Sequence, residues 1–188
     1  FEQAAADVAS VLGKTTEETE KLQKAAMDLG STTIFTATQV QELQKELAKL
    51  GFSEQQILAS QEAILQLAAA TGTDLARAAE VAASTVRSLG LTADDTQTVV
   101  DVMAKSFSSS GLDLERFAEA MKLVAPSAKA TGRDLQKVTS QLGLLADNGI
   151  NGSLAGTQLN RVFIELNKKG LTLEQALEKV SGAQNKLG

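Results

Sequence analysis

Gly51-Phe52-Ser53-Glu54-Gln55-Gln56-Ile57 is the stretch whose reading decides the fold class. Glycine enters the left-handed backbone conformation without a Cβ penalty, so it ends helices. Serine starts them, because its hydroxyl accepts from the orphan N–H groups of the first turn. Gln56 stands three positions after Ser53, where its side chain can return a bond to the Ser53 N–H and complete a capping box. Phe52 precedes the cap and is placed to staple onto Ile57. Within seven residues the chain stops one helix and begins another.

The same wording, glycine then one spacer then a capping residue, recurs at Gly13, Gly30, Gly51, Gly72, Gly90, Gly111, Gly132, Gly149 and Gly170. The residues two positions on are Thr15, Thr32, Ser53, Asp74, Thr92, Asp113, Asp134, Asn151 and Thr172. Thr15 with Glu18 and Thr172 with Gln175 repeat the capping box, and Leu112 repeats the staple toward Phe117. The glycines lie 17, 21, 21, 18, 21, 21, 17 and 21 residues apart. Each interval holds one helix of about four turns and a short connection. Gly-x-Asp-Leu recurs at 72–75, 111–114 and 132–135, with Ala-Thr-Gly at 70–72 and 130–132. This reads either as a weak internal repeat or as convergence of good helix junctions on similar residues, and neither the tetratricopeptide nor the ankyrin pattern is present.

Apolar residues between the glycines follow a helical period. The stripes are Val40, Leu43, Leu47 and Leu50; Ile57, Ile64 and Leu67; Leu114, Phe117, Met121 and Val124; and Leu135, Val138, Leu142 and Leu145. Leu159, Val162, Phe163 and Leu166 follow, then Leu173, Leu177 and Val180. Each such stripe is expected to be buried against neighbours. The fold class is therefore all-α, an irregular bundle of roughly eight to ten short helices joined by Gly-x-Ser/Thr/Asp/Asn junctions. Residues 1–188 are read as a single helical domain, and the start at Phe1 rather than Met as a fragment of a longer chain.

Two stretches interrupt the rhythm. Ser31 to Thr38 is rich in β-branched residues and suits an extended connection before a helix capped by Thr36 or Thr38. Pro126 falls late in the Leu114 helix and is expected to end or kink it at Ala125, with a short turn over 127–130 after it. Gly149, Gly152 and Gly156 make 147–157 the expected flexible connection.

Composition narrows the function. The 188 residues carry a net charge of −5 with the charges scattered, and there is no Trp or Tyr. That combination lacks the basic stripe that nucleic acids require and the aromatic platforms on which bases stack. No apolar run in the sequence reaches the roughly 20 residues of a membrane span. With no His and no Cys, the commonest general base, metal ligand and thiol nucleophile are missing.

Ser and Thr are plentiful but sit mostly at caps, with no evident activating partner. The carboxylates Glu17 and Glu18, Asp94 and Asp95, and Asp113, Glu115 and Glu119 lie at helix starts or on polar faces, where they complement the helix dipole. Asp147 to Gly152 has Asp first and Gly sixth, like a calcium loop, but Gly149 stands third and Gln158 twelfth. Asn151-Gly152-Ser153 fits a glycosylation sequon, with nothing else in the chain suggesting secretion. No catalytic, cofactor-binding or metal-binding residue is assigned, and no enzyme activity is expected. The residues alone point to a helical structural or interaction element.

In order, the residues also resemble the N-terminal core region shared by phage tail tape measure proteins. Leu29-Gly30-Ser31-Thr32-Thr33-Ile34-Phe35-Thr36-Ala37 is similar to that family's Leu-Gly-x-Thr-Thr-x-Phe-Ser/Thr-Ala segment, and Leu50-Gly51-Phe52 to its next junction. Leu67-Ala-Ala-Ala-Thr-Gly-Thr-Asp-Leu75, Ala78-Ala79 and Leu89-Gly90-Leu91 form a third block. Glu119-Ala-Met-Lys-Leu-Val-Ala-Pro126 with Ala128-Lys129 is the fourth. Leu142 to Gly152, continuing through Ala155 to Arg161, is the fifth. Leu43 to Lys49, more charged than the family pattern, and the small polar junction Ser108 to Gly111 alter surface chemistry more than architecture.

The resemblance implies part of a long helical protein of a phage or prophage tail that templates tail tube assembly, determines tail length and leaves the tail during DNA ejection. It implies as partners other copies of the chain, tail tube subunits, tail assembly chaperones and the baseplate or tail tip. The implied place is the lumen of the virion tail, and the bacterial host cytoplasm during assembly. The alternative function is a helical adaptor that binds a partner helix or peptide in an interhelical groove.

Overall fold

A computed structural model describes the backbone of residues 1–184 and the side chains of residues 1–180. Among the described residues there are ten α-helices and no strand, so the fold is all-α. Contacts group the chain into two compact units, Phe1–Ser109 and Ser110–Gly188.

The first unit contains α1 (Glu2–Leu12), a 3-10 turn at Glu17–Thr19, α2 (Glu20–Thr32), α3 (Ala37–Lys49), α4 (Glu54–Thr71), α5 (Leu75–Leu89), a second 3-10 turn at Ala93–Asp95, and α6 (Thr96–Ser109). Helix α3 is central and packs on α1, α2, α4 and α5, while α4 also packs on α6. Val40, Leu43 and Leu47 are buried on α3, and Ile57, Ile64 and Leu67 on α4, as their period requires. Three glutamines enter this core. Gln44 donates from Nε2 to the Leu22 carbonyl at 2.9 Å and to Gln61 Oε1 at 2.8 Å. Gln41 is buried too, yet neither its Oε1 nor its Nε2 has a partner among the described residues.

The second unit contains α7 (Leu114–Ala130), α8 (Leu135–Asp147), α9 (Gly152–Lys168) and α10 (Leu173–Gln184). Its strongest association is α7 on α9, with α8 against both and α10 against α9. Helices α7 and α9 run in the same direction: Glu119 lies at Gly152, and Arg133, just beyond α7, covers Phe163 later in α9. Their approach is close because Gly156 faces the backbone of Ala120. A Cβ at Gly156 would stand 2.5 Å from the Ala120 carbonyl oxygen and 2.8 Å from its Cα.

Capping follows the residue types. The Thr36–Gln39 and Ser53–Gln56 boxes are complete, and the reciprocal bonds of Thr15 with Glu18 and Thr172 with Gln175 are present. Asp74, Asp113 and Asp134 each accept from N–H groups of the turn they open. The expected staple residues Phe52 and Leu112 are buried.

Several junctions differ from the sequence reading. Gly13, Gly51, Gly72, Gly90, Gly132, Gly149 and Gly170 are left-handed, but Gly30 and Gly111 are not. Gly30 lies inside α2, where a Cβ would come within 2.5 Å of the Ala37 backbone nitrogen, so it permits close approach rather than ending a helix. Thr32 accordingly caps nothing, and its hydroxyl donates back to the Asp28 carbonyl at 2.9 Å. The extended connection is shorter than expected, because α2 continues to Thr32 and Thr36 caps α3.

Pro126 neither ends nor divides α7, which runs on to Ala130. Pro126 and Lys122 are both exposed, so the turn from which the ring removes a hydrogen bond lies on the uncovered side of the helix. Burial of Val124, Ala125, Ser127 and Ala128 holds the helix on both sides of it. Residues 147–157, expected as a flexible connection, comprise the end of α8, a junction at Asn148–Asn151 and the first turns of α9. Asn151 precedes α9 without a side-chain capping bond. On α10 the expected buried stripe is largely uncovered, Leu177 being 60% exposed and Val180 similar.

Candidate interaction surfaces

The carboxylates singled out in the sequence are distributed along the chain, most of them at helix ends, with Glu119 inside α7. Glu18 accepts from the Thr15 N–H at 2.8 Å. Asp95 accepts from both the N–H and the hydroxyl of Thr92 at 2.8 Å. Asp113 accepts from the Arg116 N–H at 2.8 Å. The bonds to Asp95 favour its ionised form. The backbone bond from Thr92 holds the Asp95 carboxyl below its ordinary range, and the bond from its own N–H does the same for Glu17. A general acid needs the opposite displacement.

The calcium-like stretch is a helix stop. Gly149 is left-handed, and the N–H groups of Gly149 and Ile150 close on the carbonyls of Ala146 and Leu145 at 2.9 and 2.8 Å. Asp147 accepts from the Gly111 N–H at 2.7 Å, and Asn148 donates to the Leu144 carbonyl. Among the described residues no cluster of three metal-ligating side chains occurs, and no helix is long and apolar enough to cross a membrane.

What the structure brings together instead are recesses between helices. In the first unit, Phe35, Leu43 and Leu75 form the apolar part of a recess of about 350 Å³, with Gln39, Glu42 and Glu46 around it. Ile34, adjacent to Phe35 in the α2–α3 junction, is 81% exposed. In the second unit a recess of about 180 Å³ lies among Thr131, Arg133, Lys137, Phe163, Asn167 and Glu174. The Arg133 guanidinium carbon stands 5.2 Å from the centroid of the Phe163 ring, within cation–π range. Arg133 was not distinguishable in the sequence, where it is one arginine after one of many glycines. Only the packing of α7 against α9 puts Phe163 beneath it.

A train of helices, most of them opened by their own Ser, Thr or Asp caps, whose distinctive surfaces are interhelical recesses and uncovered apolar stripes, has the character of a helical structural or interaction protein. The model of the phage-related minor tail protein family matches residues 23–188, nearly the whole length. The chain belongs to that family, and it is a component of a phage tail. A search of curated proteins found no match.

Proposed function

We propose that this chain is part of a tape measure protein, which templates assembly of the tail tube and sets its length from within the tail lumen. The observation that supports this reading is membership of a phage tail family by a train of short helices joined at left-handed glycines. A measuring protein must be long in the assembled tail. As one continuous helix the 188 residues would span about 280 Å at ~1.5 Å per residue. A compact domain of this size has a radius of gyration of only about 16 Å.

The glycine junctions reconcile the two. They let the isolated chain turn and bury its stripes, and inside a narrow tube they act as hinges that open the packing into a string of helices. In this reading the partners are other copies of the chain, tail tube subunits, tail assembly chaperones and the baseplate or tail tip, and the chain has no enzymatic role.

In-frame deletion of Phe52 to Gly90 in the parent phage, followed by electron microscopy of the tails, tests the proposal. The deletion removes 90 − 52 + 1 = 39 residues, comprising α4 and α5 with their leading junctions. Tails shorter by about 60 Å, at 1.5 Å per residue, are the expected outcome. Tails of unchanged length would overturn a measuring role for this region, and complete loss of tails would make it an initiator of assembly instead.

A further inference from the structure

The Arg133 side chain is only 9% exposed, yet among the described residues its guanidinium makes no hydrogen bond. Its ionic partner is Glu174 Oε2 at 3.5 Å, and Lys137 Nζ stands 3.8 Å from the other oxygen of the same carboxylate. Bonds between a guanidinium and a carboxylate are normally about 2.7–2.9 Å and frequently paired. Arg77 with Glu80 reaches 2.7 Å in this same chain. Glu174 therefore sits at the mouth of the recess, 59% exposed, without filling it. A guanidinium has five N–H donors, so Arg133 keeps capacity for a further acceptor at the recess.

We propose that the recess is a carboxylate-binding site that takes an acidic side chain of a partner polypeptide in place of Glu174. The space of about 180 Å³ accommodates a carboxylate and its short stem. Arg133 supplies the planar fork, with its guanidinium carbon over the Phe163 ring. Lys137 supplies a second charge from α8, and Asn167 an amide donor from α9. The partner is a polypeptide because the helix carrying Glu174 also presents Leu177, one turn on, uncovered. An acidic residue flanked by apolar ones meets both features. This inference does not rest on the tape measure reading.

The test is a titration of the 188-residue chain with N-acetylglutamic acid α-methylamide, followed through the Arg133 Nε–Hε resonance by NMR. Its glutamine counterpart and inorganic phosphate serve as comparison ligands. A saturable shift with the glutamate derivative alone, or with phosphate competing for the same site, is expected. Glu174→Gln removes the resident competitor and should tighten binding about two- to fivefold, the range of an exposed ion pair. Arg133→Met should abolish it. If that variant does not fold by circular dichroism, Lys137→Gln, at an exposed position, should weaken binding while the helical signal stays unchanged. Equal shifts with the glutamine derivative, no tightening in Glu174→Gln, or saturation by phosphate but not by the carboxylate would each overturn the proposal.

Discussion

Replacing Gly156 by alanine should destabilise the second unit, although the same change at an exposed helical glycine would stabilise it. Glycine inside a helix costs about 1 kcal/mol relative to alanine, so propensity alone favours the variant. Against that gain stands the backbone of α7. The added methyl would lie 2.5 Å from the Ala120 carbonyl oxygen, 2.8 Å from its Cα and 3.0 Å from its carbonyl carbon, where ordinary contact begins near 3.4 Å. The neighbours are main-chain atoms in a helix, so no rotamer change relieves the clash. The two helices must separate by most of an ångström.

Overpacking of this kind costs about 1–3 kcal/mol, and widening the α7–α9 seam also weakens its dispersion contacts. The net loss should be about 1–2 kcal/mol. For a unit of this size that lowers the melting temperature by about 5–10 °C. Urea unfolding followed by circular dichroism at 222 nm reads it directly. The Gly156→Leu variant should lose more than Gly156→Ala, since its side chain cannot be accommodated by a small separation. An alanine variant as stable as the parent, or more so, would refute the reasoning, because propensity would then outweigh packing at this seam.

Two further outcomes can be checked on the isolated chain. Gln41→Leu should raise the urea midpoint of the first unit, because removing an amide whose two polar atoms lack partners recovers about 1–3 kcal/mol of desolvation penalty. A loss of 1 kcal/mol or more instead would mean that the amide is satisfied by internal water.

The hydrogen bond from Lys45, with a second from Gln3, holds the Asp7 carboxyl below its ordinary value. A depressed carboxylate contributes stability above its unfolded value near pH 4 and loses it as pH falls through the lower folded value. Lys45, raised by the same bond, contributes below its unfolded value and loses that contribution as pH rises through the higher folded one. The Asp7 titration, followed by carboxyl carbon NMR, should move up toward the ordinary range in Lys45→Met. An identical midpoint in both proteins would show that the 2.6 Å pair is not what holds it down.

How much of this was legible in advance follows from the range of the forces involved. Capping is local: the Ser53–Gln56 box and the Asp74, Asp113 and Asp134 caps involve atoms within three residues of one another, so residue type and spacing suffice. Helical period is local too, and it placed Phe117, Ile64 and Leu47 inside correctly. On that basis the all-α class and most helix boundaries could be read from the chain alone.

What a glycine is for could not. Gly30 and Gly51 open the same motif, yet Gly51 is left-handed at a helix end while Gly30 lets the chain fold closely back on Ala37. The distinction lies in a neighbour's backbone, which only the tertiary arrangement supplies. Pro126 is the same lesson in reverse. Its local penalty is real, but burial of the residues on either side outweighs it while the proline itself stays on the exposed side.

Arg133 shows the limit most plainly. Its charge and position are written in the sequence, but its burial, its aromatic floor and its unfilled hydrogen-bonding capacity arise only when α7, α9 and α10 bring distant residues together. The sequence by itself determined where helices start, where most of them stop and which faces are apolar, because those depend on neighbours in the chain. Tertiary structure alone decided which small residues are contacts and which polar groups are left wanting, because those depend on neighbours in space.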